Sequence, residues 1–267
     1  MALWTPSDLD SGTLTAWYKA DSLSLNDGDG VGSWTDSSGN GHTVAQLTGT
    51  RQPTFETNEL NGLPVLRYDG TNDILSDGDI DDLDVGTGDI WLASVLKSTN
   101  DGGAQFFFEK GSNSFALMCS RTGELRARLG SNVNIPVQNS GNWSRTEFVL
   151  VTASRVSSTC NGFVNGSDMD TTGTTNTGSI SNSDVLDIGA TAVGGNPMTG
   201  DIAEVLVGGA TLSTVDRQKI EGYLAHRYGL EGNLPSDHPY KSAAPTIRVQ
   251  SLMGKGPQLF GNGMIQA

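Results

Sequence analysis

The sequence predicts an all-β protein, an antiparallel two-sheet β-sandwich with one short helix near residues 213–228. Three observations predict it. Short apolar runs recur from residue 14 to residue 208 with only turn residues between them. Gly (35 residues), Ser, Thr, Asn and Asp supply those turns. A single segment, 212–230, carries apolar residues at helical spacing. Strands with no helix between them cannot make the long crossovers of a parallel sheet, so they pair antiparallel.

Leu14, Ala16 and Tyr18 alternate with Thr15, Trp17 and Lys19, a strand with two usable faces. Residues 26–42 are turn-rich around Trp34, and Asn61-Gly62 is the pair a tight hairpin wants before the apolar strand that ends at Tyr68. IWLASVLKS (90–98) is almost uninterrupted apolar sequence, suited to a central strand covered on both faces. Further strands are expected within 104–130, 146–156, 160–168, 185–193 and 200–209. In the last of these, Asp201 and Glu204 stand at odd spacing, which places them on opposite faces of a regular strand. The helix has Ser213 as N-cap, an apolar stripe of Ile220, Tyr223, Leu224 and Tyr228, and Gly229 where a left-handed cap belongs. A lone amphipathic helix of this kind is expected to dock on an edge or end of the sandwich.

Residues 1–240 therefore read as one sandwich, and 241–267 as an extended C-terminal arm. The arm holds no acidic residue, and Ile247, Val249, Leu252, Met253, Leu259, Phe260, Met264 and Ile265 are too apolar for an idle tail. Pairing with a neighbouring subunit would cover them, which predicts a homo-oligomer.

Charge narrows the partners. Sixteen Lys and Arg against 30 Asp and Glu give a net charge of −14, which argues against nucleic acid, whose phosphates need a basic face. No stretch is long and apolar enough for membrane insertion, and MALWTPSDLD lacks the pattern of a signal peptide, so the expectation is either a virion protein made in the host cytoplasm, which Met1 favours, or a secreted or cell-surface protein whose signal has been removed. Cys119 and Cys160 lie in strand-like stretches and read as buried free thiols, although spacing alone leaves one disulfide open.

Taken together and in order, WTDSSGNGH (34–42), RQPTFETNELNGLPVLRYDGTNDIL (51–75), GDIAEVLV (200–207) and LSTVDRQKIEGYLAHRYGL with NLPSDHPY (212–240) resemble the concanavalin A-like, laminin G-like jelly-roll domains. Such domains occur in bacterial surface proteins and in phage virion proteins. The resemblance covers residues 1–240 and implies two antiparallel sheets packed face to face, with ligand sites in rim loops or on a sheet face. Calcium often accompanies the family in an oxygen-rich loop. Here Asp69, Asn72 and Asp73 cluster in one loop, and Asp201 lies in a run that can approach it, so these four are the candidate calcium ligands.

Catalysis is not expected. The family's glucanases place their carboxylates in a Glu-x-Asp-x-x-Glu strand, which is absent, and the three histidines have no zinc spacing. For sugar binding, Trp143 in a turn-rich stretch is the candidate stacking ring, and Asn142 beside it the candidate hydrogen-bonding amide. Two functions compete. The favoured one is a non-enzymatic phage virion structural protein (capsid decoration, head fibre or tail fibre) that assembles with other virion proteins and takes a host surface glycan. The other is a carbohydrate-binding module of a secreted or cell-surface bacterial protein.

Overall fold

The computed structural model describes residues 1–99, 103–111, 114–130, 134–136, 143–169, 173–191 and 195–247. In chain order the strands are β1 (Ala2–Leu3), β2 (Ala16–Lys19), β3 (Ser33–Trp34), β4 (Val44–Ala45), β5 (Thr54–Leu60), β6 (Leu63–Asp69), β7 (Leu75–Ser76), β8 (Ile90–Ser98), β9 (Gln105–Lys110) and β10 (Phe115–Cys119). There follow β11 (Leu125–Leu129), β12 (Asn134–Pro136), β13 (Val149–Val156), β14 (Thr159–Val164), β15 (Ser167–Asp168), β16 (Thr174–Thr175), β17 (Leu186–Ile188) and β18 (Thr199–Gly208), then the helix α1 (Thr214–Tyr228) and β19 (Thr246–Ile247).

They form two large antiparallel sheets and a two-stranded one, β1-β19. The larger runs β15-β14-β13-β8-β18-β6-β5, with β2 also on β18 and β16 also on β14. The smaller runs β12-β11-β10-β9-β17-β7-β4-β3. The main core lies between them. Tyr18, Trp34, Leu66, Leu92, Leu96, Phe107, Phe108, Phe115, Leu117 and Ile202 are among its buried side chains. Strand β8 shows why its sequence is apolar throughout. Ile90, Leu92 and Leu96 face this core, while Trp91, Ala93 and Val95 face a second one on the other side of the sheet.

That second core is made by α1, which corrects the docking site predicted for the helix. It lies on the outer face of the larger sheet, not at an edge or end. Ile220, Leu224, Ala225 and Tyr228 pack on Val65, Trp91, Ala93 and Leu206, with Trp4 and Trp17 against Tyr223. Each large side chain buried there contributes about 1.5–3 kcal/mol. The helix ends behave as their residues require. Ser213 accepts the Asp216 amide at 3.1 Å, and Gly229 takes the left-handed conformation at φ 68°.

A second correction concerns β18. Ile202 pairs with Leu96 and Glu204 with the adjacent Val95, so Ala203 is an extra residue, a β-bulge. The bulge breaks the alternation of side chains. Asp201 and Glu204, expected on opposite faces, both reach the outer side of the larger sheet. There Asp201 meets Arg67, and Glu204 meets Trp17 and Tyr228.

The boundary placed at residue 240 is not a structural break. Lys241 Nζ donates to the Gly232 and Leu234 carbonyls, Trp4 N donates to Pro245 O, and β19 pairs with β1 through Ala2 and Ile247. Ile247 thus packs on its own chain's second core. Val249, Leu252, Leu259, Phe260, Met264 and Ile265 lie outside the described residues. Cys119 and Cys160 are buried free thiols. No helix among the described residues is long and apolar enough to cross a membrane.

Candidate functional site

The sequence-predicted calcium loop is spent on its own backbone. Asp69 accepts the Thr71 amide, and Asp73 accepts the Asp69 amide at 2.9 Å. Burial pushes the Asp73 carboxyl up to about 6, against the lowering effect of that hydrogen bond. Asn72 contributes its carbonyl to Arg51. Asp201 does approach the loop, and a hollow of about 440 Å3 is lined by both Asp69 and Asp201. Asp201, however, is only 1% exposed and faces two cations. Arg67 Nε lies at 2.7 Å and Lys97 Nζ at 2.6 Å from its two oxygens. A calcium ion needs about six to eight oxygens, and this carboxylate already serves an arginine and a lysine. The four residues do not fit the ion.

A different acidic group has better geometry. Asp79, Asp81 and Asp84 bring carboxylate oxygens within 4.8 Å of one another and are close enough to hold a metal ion. The Lys110 ammonium, 1% exposed, is there too, at 2.7 Å from Asp79 and 2.8 Å from Asp84, with the Asn182 carbonyl at 3.1 Å. A metal ion at this group competes with a built-in cation. Replacing Lys110 by Met leaves Asp79 and Asp84 facing each other unscreened, but both are reached by water. The expected loss is therefore modest, about 1–2 kcal/mol, measured by urea unfolding in the presence of a chelator.

Trp143 is also displaced from its predicted role. It is buried against the main core, and its Nε1 donates to Gly123 O at 2.9 Å. An indole with a large apolar surface and one donor gains more by plugging the sandwich than by standing in water. It offers no free face to a sugar. Asn142 lies outside the described residues.

Two features carry chemistry that the sequence pattern did not single out. The first is on the outer face of the smaller sheet. Glu109 on β9 and Asp187 on β17 are cross-strand neighbours, both buried, flooring a hollow of about 350 Å3 with Asp184 and Thr191 on its walls. Two carboxylates opposite each other disfavour double ionisation. Burial pushes Asp187 up to about 6, offset in part by the hydrogen bond from Ser76. Glu109 in turn acts on the Arg128 guanidinium, which lies over the Phe106 ring. A search for two acids along one strand misses a pair built from two strands.

The second is a larger hollow, about 580 Å3, between the β13–β14 hairpin and the first turn of α1. The hairpin turns through Ser157 and Ser158, both at positive φ, which sets Val156 opposite Thr159. Alternation then sends Arg155 and Cys160 inward, and Ser154, Val156, Asn161 and Phe163 outward into the hollow. Leu212, Ser213 and Thr214 close the opposite wall. Arg217 crosses from the helix. Its guanidinium lies 3.6 Å from the Phe163 ring centre and donates to Glu221 at 2.6 Å. Glu221 is held in its turn by Thr152 and His238. The groove combines an amide, several hydroxyls and the edge of an aromatic–guanidinium stack on elements fixed by two cores, an arrangement suited to a polyhydroxylated ligand.

Among solved structures, Trypanosoma rangeli sialidase in complex with sialic acid aligns at a TM-score of 0.55 with 12% identity, covering 85% of this chain and 36% of the sialidase. A mutant of that enzyme displaying trans-sialidase activity aligns at 0.51 and 12%, covering 80% of this chain and 34% of that one. The Ruminococcus gnavus IT-sialidase CBM40 bound to α2,3 sialyllactose aligns more loosely, at 0.40 and 17%, over 49% of this chain and 81% of that one. The chain spans about a third of the length of the trypanosomal sialidases it matches, and at these identities the likeness is one of fold. No curated protein matches the sequence. The model of the concanavalin A-like lectin/glucanases superfamily, of laminin G-like type, matches residues 82–215, half of the chain, and the chain belongs to that superfamily.

Proposed function

We propose that this chain is a non-enzymatic, glycan-binding β-sandwich module whose sugar lies in the groove between β13, β14 and α1. The observation that carries the reading is the convergence of Ser154, Asn161, Phe163, Thr214 and Arg217 on one hollow. Hydroxyls and an amide serve sugar hydroxyls, and the Phe163–Arg217 stack gives an apolar edge to a sugar ring. The lectin-like fold is consistent with this use, and fold neighbours include a sialidase solved with sialic acid. A glycan array followed by calorimetry tests it. Asn161→Ala and Phe163→Ala are each expected to weaken binding about tenfold, the loss of roughly one good contact, while the melting temperature stays near that of the parent. Binding that survives both substitutions places the sugar elsewhere.

Absence of catalysis is part of the proposal. The Glu109–Asp187 pair is the arrangement that challenges it, because two acids about 5 Å apart are what a retaining glycosidase uses. Ser76 and Arg128 engage these acids from the protein side, which favours a structural role. Hydrolysis of aryl glycosides that disappears in Glu109→Gln overturns this part. Calcium, the cofactor the resemblance implies, has its best oxygens at Asp79, Asp81 and Asp84, where Lys110 competes for them.

A structural role in a phage virion is the second reading. It stands on the sequence of residues 241–267, acid-free and rich in Val249, Leu252, Leu259, Phe260, Met264 and Ile265. Truncation after Ile247 tests it by light scattering. Loss of a defined oligomer supports assembly through that segment, and an unchanged mass removes the case.

A further inference from the structure

We infer that Glu221 and His238 are positioning residues of the β13–β14–α1 groove, holding its Arg217–Phe163 wall from behind, so that segment 234–241 governs how tightly the sugar is taken. The inference rests on the glycan-binding reading of this groove and adds what controls its affinity.

Arg217 is the longest side chain of the helix wall. Its guanidinium lies 3.6 Å from the Phe163 ring centre, and Nη1 donates to Glu221 Oε1 at 2.6 Å. The attraction of a guanidinium for a ring is of the same order as the rotamer freedom that an arginine gives up when it is fixed, so the ring alone does not keep it in place. The bond to Glu221 decides, and that bond is only as well placed as the carboxylate. The terminal torsion of a glutamate has no sharp preference of its own, so donors on both oxygens must set its plane. Thr152 Oγ1, on β13, donates to Oε1 at 2.7 Å, and His238 Nε2 lies 3.1 Å from Oε2. The Tyr240 amide donates to His238 Nδ1 at 3.2 Å, which leaves the ring proton on Nε2 and makes His238 the donor to Glu221. Glu221 is 0% exposed, so water does not stand in for either partner.

His238 also touches the structure that carries the opposite wall. A Cβ on Gly166 would stand 3.2 Å from its ring, and equally close to Leu234 and Pro235. Gly166 is in the turn that joins β14 to β15, and so joins Phe163 to its cross-strand partner Asp168, both of which line the groove. The segment that carries His238 is itself fixed. Tyr240 O accepts His226 Nε2 at 2.8 Å, the Tyr240 side chain lies on Gly222 of the helix, and Lys241 Nζ donates to Gly232 O and Leu234 O. One histidine behind the groove thus seats on the hairpin wall and bonds the anchor of the helix wall. An Arg217 already held in the free protein loses little rotamer freedom when the sugar arrives, which is the gain from preorganisation.

The test is calorimetry with the best glycan found on an array, using the full chain and a cycle of its variants. His238→Phe keeps a ring against Gly166 and removes the donor to Glu221. It is expected to weaken binding about five- to tenfold, the cost of ordering one rotamer-rich side chain on binding. His238→Gln, which can donate to Glu221 and accept from Tyr240 N, is expected to bind within about twofold of the parent. In an Arg217→Ala background His238→Phe should have no further effect, because both act through one side chain. Should His238→Phe fail to fold, Thr152→Val takes its place in the cycle, with the same results expected through the other oxygen of Glu221. Parent affinity in His238→Phe overturns the inference and leaves the glycan reading intact. So does a loss that His238→Gln fails to restore, or one that persists in Arg217→Ala and so marks a merely structural role. A parent chain that binds no glycan overturns the glycan reading and this inference together.

Discussion

Replacing Arg155 by Met is expected to cost about 3–5 kcal/mol, roughly 10 °C in melting temperature for a chain of this size. Arg155 is on β13, faces inward and is 0% exposed. Its five donor positions are all used. Nε and Nη2 donate to Gly88 O, Nη2 also to Gly86 O, and Nη1 to Leu129 O and Gly178 O, at 2.6–2.9 Å. Burial lowers its pKa below the ordinary arginine value, and it remains a cation, compensated by backbone carbonyls that come from three separate stretches of chain. Removing it strands four carbonyls away from water, each with its own desolvation penalty. Arg155→Lys keeps the charge but offers three donors in place of a planar fork, and is expected to recover less than half of the loss. Urea unfolding of the three proteins measures this. Equal stability of parent and Met variant contradicts it.

The second large effect is a rise in stability on mild acidification, centred on Glu204. This side chain is fully buried under α1 and is pushed up to about 7, by burial first, against the lowering effects of Trp17, Arg227, Tyr228 and Lys19. Trp17 Nε1 donates to it at 2.6 Å and the Tyr228 hydroxyl at 2.8 Å. The ring of Tyr223 and, through Arg227, the carboxylate of Asp21 complete its surroundings. A carboxyl whose folded pKa lies above its unfolded value favours folding when protonated. Its contribution is complete below about pH 4.5 and is lost as pH rises through 7, a swing on the order of 3 kcal/mol. Asp73 and Asp187, each pushed up to about 6, add in the same direction. Melting temperature is therefore expected to climb by several degrees from pH 8.5 to pH 5.5. In Glu204→Gln the slope between pH 8.5 and pH 6.5 should flatten, because the titrating group is gone. A parent protein that loses stability across this range, or a Gln variant with the parent's slope, contradicts the assignment.

How much of this was legible in the sequence depends on how far apart the partners are. The sandwich, the strand β8 and the helix with its Ser213 and Gly229 caps follow from local pattern, because period and capping are properties of neighbouring residues. The family resemblance drew on the same ordered strings. The bulge at Ala203 was invisible, since GDIAEVLV alternates well enough to be a regular strand, and the extra residue shows only in the register with Val95 and Leu96. Asp201 was legible as a source of oxygens but not as the partner of Arg67 and Lys97, which arrive on β6 and β8. Trp143 looked exposed because its flanks are turn residues, whereas its burial is decided by Gly123 and the core beneath it. Arg155 is the extreme case. Its acceptors are backbone carbonyls, which have no signature in a sequence. The groove shares that difficulty, because Asn161 and Phe163 read only as the outer face of a strand until α1 is laid beside them.

The location of the sugar is measured most directly by following backbone amide signals while the isotope-labelled chain is titrated with the oligosaccharide selected on the glycan array. Saturable shifts centred on Ser154, Asn161, Phe163 and the segment from Thr211 to Thr214 are the predicted result. Shifts centred on Glu109 and Asp187, or on Asp69 and Asp201, contradict the placement, and the absence of any saturable shift contradicts a sugar site on this sandwich.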